Sequence, residues 1–279
     1  MTKQTMVTIA VVVYLLFNVF ILEPNALEVR DYWIEDSRLD GIKVAFLTDF
    51  NLKRSGYKRL KKIVHTTIDA KPDIVLLGGD FVYNHNLSKS MDMNSIADRL
   101  ATFSQDLRIP TYAVLGDDDW RSNNSKTISE ALAKNRIYVL NNAAARVRVR
   151  GKTVDIAGVK DKTAEQPNIT KALSRTRNPR ILLSHNPDIY YDVMEDVSVI
   201  LAGHTHGGQV IIPYAPALFV PSQYGSKFAS GLIEETNNKM IISRGLGTNK
   251  FPGRLNCKPE VVMVHFCKRG ECQDYPTKN

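Results

Sequence analysis

Cysteine is scarce. Three cysteines in 279 residues cannot build a disulfide scaffold, and Cys257, Cys267 and Cys272 lack zinc-finger spacing. Cys267 and Cys272 can pair across Lys268–Glu271 in an oxidising compartment; unless the domain is exported, they are read as free thiols. Internal repeats and low-complexity segments are absent, which excludes a solenoid or a largely disordered chain. Aromatic residues do not interleave with basic ones and no nucleic-acid motif occurs. Nucleic acid is therefore not an expected partner, although the net charge is +8. Part of that charge lies in Lys53, Arg54, Lys58, Arg59, Lys61 and Lys62, which suit anionic headgroups or an anionic substrate, or form a solvated helix face.

Long apolar runs are also few, and the one at the start stands out. Met6–Leu22 is interrupted by Thr8 and Asn18 only, and at 17 residues it reaches the lower limit for crossing a bilayer. No clear small-x-small cleavage site follows. Residues 1–22 are read as a membrane anchor or uncleaved signal, 23–41 as a connector, 42–267 as the main domain and 268–279 as a polar tail. The positive-inside rule leans toward an extracytoplasmic domain, while the cluster near Lys53 pulls the other way.

Beyond the connector, apolar strands alternate with helices. Strands are expected at 44–47, 73–77, 111–115, 137–140, 181–183, 197–202 and 261–266. Helices are expected at 57–70, 94–107, 126–134 and 189–195. Hairpins are expected around Gly151-Lys152 and Asn237-Asn238. The alternation means α/β with mixed sheets.

The chemistry stands at the strand ends. Successive buried strands end in Thr48-Asp49-Phe50-Asn51, Gly78-Gly79-Asp80, Gly116-Asp117-Asp118-Asp119, Ser184-His185-Asn186-Pro187 and Gly203-His204-Thr205-His206-Gly207-Gly208-Gln209. The carboxyl edge of an open α/β sheet is where ligands bind. A lone Asp after a strand is usually a cap; five such ends carrying Asp and His are not explained that way. Carboxylate oxygen plus imidazole nitrogen, without thiolate, suits Mn²⁺, Mg²⁺, Fe or Zn²⁺. The donors are too many for one ion and enough for two, about 3.5–4 Å apart, which would clamp a phosphate.

In this order the motifs resemble the calcineurin-like metallophosphoesterase superfamily, over nearly all of 43–266. Gly-His-Thr-His-Gly-Gly-Gln, Ser-His-Asn-Pro-Asp and Arg254-Leu255-Asn256-Cys257-Lys258-Pro259-Glu260 resemble a bacterial branch with anchored or exported members. That branch includes phosphodiesterases and enzymes cleaving UDP-2,3-diacylglucosamine. The resemblance implies a four-layer α-β-β-α sandwich of two mixed sheets flanked by helices, behind one N-terminal transmembrane helix. It implies single-pass anchoring in a bacterial inner membrane and a phosphate-containing, lipid- or nucleotide-linked substrate. Two divalent ions are implied, Mn²⁺ favoured: Asp49, Asn51 and His206 at the first, Asp80 bridging, and Asp117, His185 and His204 at the second. Asp118 and Asp119 fall at the catalytic positions, the first near the leaving group and the second orienting it.

The sequence departs from the family at three of these positions. Asn51 stands for His and is a weaker ligand. Asp117 stands for Asn and adds charge. Asp118 stands for His and acts as an acid only if crowding raises its pKa. A phosphodiester or pyrophosphate hydrolase is the primary expectation, and a degenerate homologue that binds or scaffolds is the alternative. His65, His85 and His265 are read as structural. Arg244 and Arg254 contact phosphate or pair internally; Phe219, Tyr224 and Phe228 line a lipid-facing surface or simply pack.

Overall fold

A computed structural model describes residues 2–83, 91–217 and 219–272. Its order follows from buried strands that are apolar along their whole length. The first sheet contains β1 (Glu28–Glu35), β2 (Lys43–Leu47), β3 (Ile74–Leu77), β4 (Thr111–Ala113) and β5 (Tyr138–Val139). The second contains β6 (Ala143–Val149), β7 (Lys152–Gly158), β8 (Arg180–Leu183), β9 (Val199–Ala202), β10 (Gly231–Ile233) and β11 (Met240–Ile242), and β12 (Glu260–Cys267) returns to the first. The spatial orders are β1-β12-β2-β3-β4-β5 and β10-β11-β9-β8-β7-β6.

Period two along each strand divides the core into layers. Val44 and Phe46 of β2, Ile74 and Leu76 of β3, Ile181 and Leu183 of β8, and Val199 and Leu201 of β9 meet between the sheets. Their neighbours Ala45, Leu47, Val75 and Leu77 turn outward to the helices α2 (Tyr57–Asp69), α3 (Met93–Ala101) and α5 (Ser125–Lys134). Leu182, Ile200 and Ala202 turn outward on the other side, toward α6 (Ile169–Leu173) and Tyr190. The result is the α-β-β-α sandwich expected. Each fully buried Leu or Ile here is worth about 1.5–3 kcal/mol. On α2, Leu60, Ile63, Val64 and Thr67 are buried, and Lys58, Lys61 and Lys62 are exposed.

The stretch 23–41, expected as a connector, carries β1. Its residues pair in parallel with β12 from Glu28↔Glu260 to Glu35↔Cys267. Polar Glu28, Arg30 and Asp31 conceal this edge strand, because only alternate positions meet the core. The helix expected at 189–195 is instead a six-residue 3-10 turn, Pro187–Asp192. The Asn186 side chain caps Asp188 N–H, and Val193 is already extended. The helix expected to reach Leu107 stops at Ala101 and runs on as a wider π turn, Thr102–Asp106. Cys267 and Cys272 form a disulfide, not the free-thiol pair expected of an unexported domain.

The first helix, α1 (Lys3–Phe17), continues through a π turn and a 3-10 turn to Asn25, giving 23 helical residues long and apolar enough to cross a membrane. Its apolar stretch is not buried inside the protein, and only the last turn packs, through Glu23 and Pro24, so it is not a core helix.

Candidate metal centre

Strands β2, β3 and β4 run parallel, as do β7, β8 and β9. Their carboxyl ends therefore share one edge of the sandwich. Each ends in a turn where the chain leaves extended geometry. Asp49, Asn51, Asp80, His204 and His206 all have positive φ, between 41° and 70°. Left-handed backbone at non-glycine residues costs about 1–3 kcal/mol each and gathers at functional sites. The strain aims five side chains at one region. The turns also need close backbone approach: a Cβ at Gly203 would sit 2.5 Å from Asp49 Oδ2, and one at Gly116 would sit 2.1 Å from Asp80 Oδ1. Gly203→Ala is expected to displace the Asp49 carboxylate and weaken metal binding about 10–100-fold, read by calorimetric titration; unchanged affinity would mean the turn tolerates the methyl.

The expected ligands converge. His204 Nδ1 is 3.0 Å from Asp117 Oδ1 and 3.3 Å from His185 Nε2. His185 Nε2 is 3.4 Å from Asp117 Oδ1 and 3.5 Å from Asp80 Oδ2. His206 Nε2 is 3.4 Å from Asp49 Oδ1. These are the edge lengths of a coordination shell whose bonds are about 2.0–2.2 Å. Two groups can each hold a metal ion, Asp117-His185-His204 and Asp49-Asp80-His185. Nearly all the donors are buried, with His204 partly so.

Several contacts show that the donor set fits a cation. The Nδ1–H of His185 donates to Gly78 O at 2.8 Å, which leaves Nε2 facing the carboxylates as the ligand atom once its proton is lost. This is the tautomer a ligating histidine needs. His204 N–H donates to both Asp49 oxygens, at 3.0 and 3.1 Å, so one wall fixes the other. Asn51 Nδ2 stands 3.4 Å from His206 Nε2, while the Asn51 Oδ1 is buried without a partner. The two amide ends are isosteric; turned over, the orphan oxygen becomes a donor facing the same point as His206.

Electrostatics agree. Burial, with the Asp117 and Asp118 charges, raises the Asp80 carboxyl well above the usual range. Burial alone would lower His185, but Asp80 and Asp117 outweigh it and hold the imidazolium well above its ordinary range. Burial would raise Asp117; hydrogen bonds from His185 and His204 pull it below the carboxylate range instead. Burial lowers His206 to about 4, keeping it neutral. His185 must lose its proton to ligate, so adding Mn²⁺ or Zn²⁺ to metal-free protein is expected to release protons, and affinity to rise with pH. Calorimetry in two buffers of different ionisation enthalpy reads this; identical heats would contradict it.

Asp119 is fully buried and accepts from Gly116 N–H (3.0 Å), Asp80 N–H (2.8 Å) and Phe81 N–H (3.0 Å). It clamps the β3 and β4 turns together and so positions Asp80. Burial pushes its pKa up to about 7 against the pull of those donors. Asp118 is 9 % exposed, and its N–H donates to Asp80 Oδ1 at 3.1 Å.

Arg121 and Cys257 were not legible as groups at the centre, and for Arg254 phosphate contact and internal pairing were both open. Arg121, one turn beyond Asp117 on α4 (Asp117–Arg121), donates to Asp117 Oδ2 at 2.6 Å and offsets the charge that replaces Asn; the i,i+4 spacing was the available signal. Arg254 is wholly buried and donates to the carbonyls of Gly247, Arg244 and Cys257. Cys257 Sγ–H points at His206 O, 3.3 Å away. Arg254 therefore pairs internally, as does Arg244, with Glu260 and Glu28. His265 pairs with Asp31 and stacks on Trp33, and His65 is exposed; neither joins the centre. His85 lies outside the described residues. Phe228 is buried against Tyr190, Tyr191 and Tyr224, whereas Phe219 is 83 % exposed.

A sandwich of two sheets whose shared carboxyl edge gathers Asp and His side chains into adjoining metal-competent groups defines a metallohydrolase-type α/β protein. Residues 42–208 match the family model of the calcineurin-like phosphoesterases, and the chain belongs to that family. It is 32 % identical over 229 residues to Phosphodiesterase YaeI of Escherichia coli (strain K12), covering 80 % of this chain and 82 % of that one. It is 26 % identical over 255 residues to the uncharacterized metallophosphoesterase YkuE of Bacillus subtilis (strain 168), covering 87 % and 86 %. A "Transmembrane protein with metallophosphoesterase domain" of Danio rerio is 27 % identical over 243 residues, 81 % of this chain and 53 % of that protein.

Proposed function

We propose that the chain is a membrane-anchored, metal-dependent phosphoesterase that hydrolyses a phosphodiester or pyrophosphate bond in a lipid- or nucleotide-linked substrate. The observation that carries this reading is that His185 belongs to both ligand groups, Asp117-His185-His204 and Asp49-Asp80-His185, so that the two adjoin, with Asp80 Oδ2 3.5 Å from His185 Nε2. The first ion would be held by Asp49, Asn51 and His206, the second by Asp117, His185 and His204, with Asp80 between them. Divalent ions bound there supply a nucleophile at neutral pH and neutralise phosphate charge; Mn²⁺ suits this carboxylate-rich set. The residues of this chain do the rest. Asp119 holds the Asp80 turn in place. Asp118 reaches the phosphate side and, when protonated, gives a proton to the leaving oxygen.

The anchor reading draws on the exposed apolar helix and the transmembrane relative. The Cys267–Cys272 disulfide supports an oxidising, extracytoplasmic location, and a bacterial inner membrane fits the relatives from bacteria. Hydrolysis of bis-p-nitrophenyl phosphate by the full chain in detergent, with Mn²⁺ supplied, tests the enzyme reading. Activity abolished by chelation is expected. No turnover with any divalent ion, together with less than one metal per chain, would favour the binding homologue that Asn51 and Asp118 make conceivable. Asp118→His is expected to raise turnover if the carboxylate only occupies a histidine's place. A fall in turnover with the alkaline limb of the pH profile moved would show that Asp118 carries the proton itself.

A further inference from the structure

The end of the apolar helix is not loosely tethered; it is fastened to the wall of the metal centre. Val19 O accepts Arg254 N–H at 2.9 Å, and Glu23 Oε1 accepts Cys257 N–H at 2.5 Å. The Phe20 and Phe251 rings touch, with centroids 5.5 Å apart. From α2, Arg59 donates to Pro24 O at 2.6 Å and Lys62 to Asn25 O at 2.8 Å. The segment so held is hydrogen-bonded along its other edge to the chain that follows the His206 turn: Leu255 N–H donates to Gln209 O, and Ile211 N–H to Leu255 O. Anchor, 254–257 segment and 209–211 segment thus lie side by side, and the Cys257 thiol reaches His206 O. A span fixed at this point brings the bilayer surface against the His206 side of the centre.

On that same side large apolar side chains remain exposed among the described residues. Ile212, Tyr214 and Phe219 follow directly from the 209–211 segment, and Phe251 precedes the 254–257 segment; they are 43 %, 110 %, 83 % and 44 % exposed. They are carried by two chain segments that the backbone bonds at Gln209, Ile211 and Leu255 hold together, and exposed apolar bulk on one stretch of surface marks a contact site. Basic groups flank them: Lys250 beside Phe251, and Lys58, Lys61 and Lys62 on α2, all exposed. Apolar side chains at the level of the acyl boundary with Lys above them are the composition of an interfacial membrane contact.

We propose that Ile212, Tyr214, Phe219 and Phe251 form a second membrane contact that enters the interfacial layer of the leaflet where the anchor ends, holding the metal centre's His206 wall against the lipid surface. The occupant is the bilayer itself, with anionic headgroups favoured by the flanking lysines. The inference rests on the reading of Lys3–Leu22 as a membrane span and not on hydrolysis.

The test uses the full chain reconstituted in vesicles of phosphatidylcholine with phosphatidylglycerol. Cys257 is buried and Cys267 is bonded to Cys272, so a single introduced cysteine takes an environment-sensitive fluorophore. Phe219→Cys is compared with Val12→Cys on the anchor and Asn237→Cys in the β10–β11 turn, at the opposite end of the second sheet from the site. Lipids carrying a nitroxide near the headgroup are then added. The Phe219→Cys probe is expected to be blue-shifted and to lose at least about threefold more emission than the Asn237→Cys probe. A Phe219→Cys probe that emits as in water while Val12→Cys is quenched would overturn the second contact and leave the anchor standing. Aqueous emission at both positions would overturn both.

Discussion

Asp80→Asn is expected to remove activity and at the same time to stabilise the metal-free protein. Asparagine keeps the shape of the side chain and tolerates the left-handed backbone (φ 55°) that this position requires. Only the charge is lost. That charge belongs to the Asp49-Asp80-His185 group and lies 3.5 Å from His185, the residue both groups share, so on the proposed reading metal content should fall from two ions to one or fewer. Hydrolysis should fall by about 10³-fold or more, beyond what removal of a single stabilising donor does. In the absence of metal the same carboxyl is buried beside Asp117 and Asp118, and its pKa is held well above the usual range. A raised carboxyl pKa means that the charged form is disfavoured in the folded state at neutral pH. Removing it should therefore raise the stability of the metal-free chain, read by urea unfolding with chelator present. Equal stability, or retained turnover, would contradict the role given to Asp80. Saturating Mn²⁺ should in turn stabilise the parent by about 2.7 kcal/mol per site at a hundredfold excess over Kd, and Asp80→Asn should lose most of that gain.

The second large effect is structural. Arg254 lies wholly buried and, among the described residues, has no carboxylate hydrogen-bonded to it; its guanidinium donates to Gly247 O at 2.6 Å, Arg244 O at 2.7 Å and Cys257 O at 2.9 Å. Burial lowers its pKa, yet a guanidinium remains charged. It is a hub that ties the 244–247 stretch to Cys257, and the first of these reaches the metal centre: Gly247 N–H donates to Asp49 O at 2.6 Å. Arg254→Met fills the space but leaves three carbonyls buried without donors. The expected loss is about 3–5 kcal/mol, read by urea unfolding, with weaker binding at the Asp49 group. Arg254→Lys should recover less than half, since one ammonium cannot span the fork. A loss below about 1 kcal/mol would show that water satisfies the loop in its place.

Much of this was legible in the chain. Strands such as Val44–Leu47 and Val199–Ala202 are apolar at consecutive positions because both faces are buried, and that signal survives without any tertiary information. The residues after them stood out for the same reason: charge directly beyond a buried strand is unusual. What the sequence concealed depends on contacts between distant segments. Strand β1 presents Glu28, Arg30 and Asp31 and looks like a linker until β12 lies beside it. The role of Cys257 was invisible, and the choice between phosphate contact and internal pairing for Arg254 was undecided, because their partners are backbone carbonyls, which carry no side-chain signature. The positive φ of Asp49, Asn51, Asp80, His204 and His206 is likewise a tertiary result, imposed where two sheets end together. Asn51 illustrates the limit on the site. Its letter says weak ligand, whereas its buried amide, 3.4 Å from His206 Nε2 through Nδ2 and with its oxygen unpaired, says that the position still faces the His206 side of the centre.

The central claim is that two ions share this centre through Asp80. Electron paramagnetic resonance of the Mn²⁺-loaded full chain tests it most directly, since two Mn²⁺ ions joined by one carboxylate are magnetically coupled. The account predicts two Mn²⁺ per chain with a coupled multiline spectrum, replaced in Asp80→Asn by the six-line signal of isolated Mn²⁺. A six-line signal in the parent at saturating Mn²⁺, with one ion per chain, would contradict it.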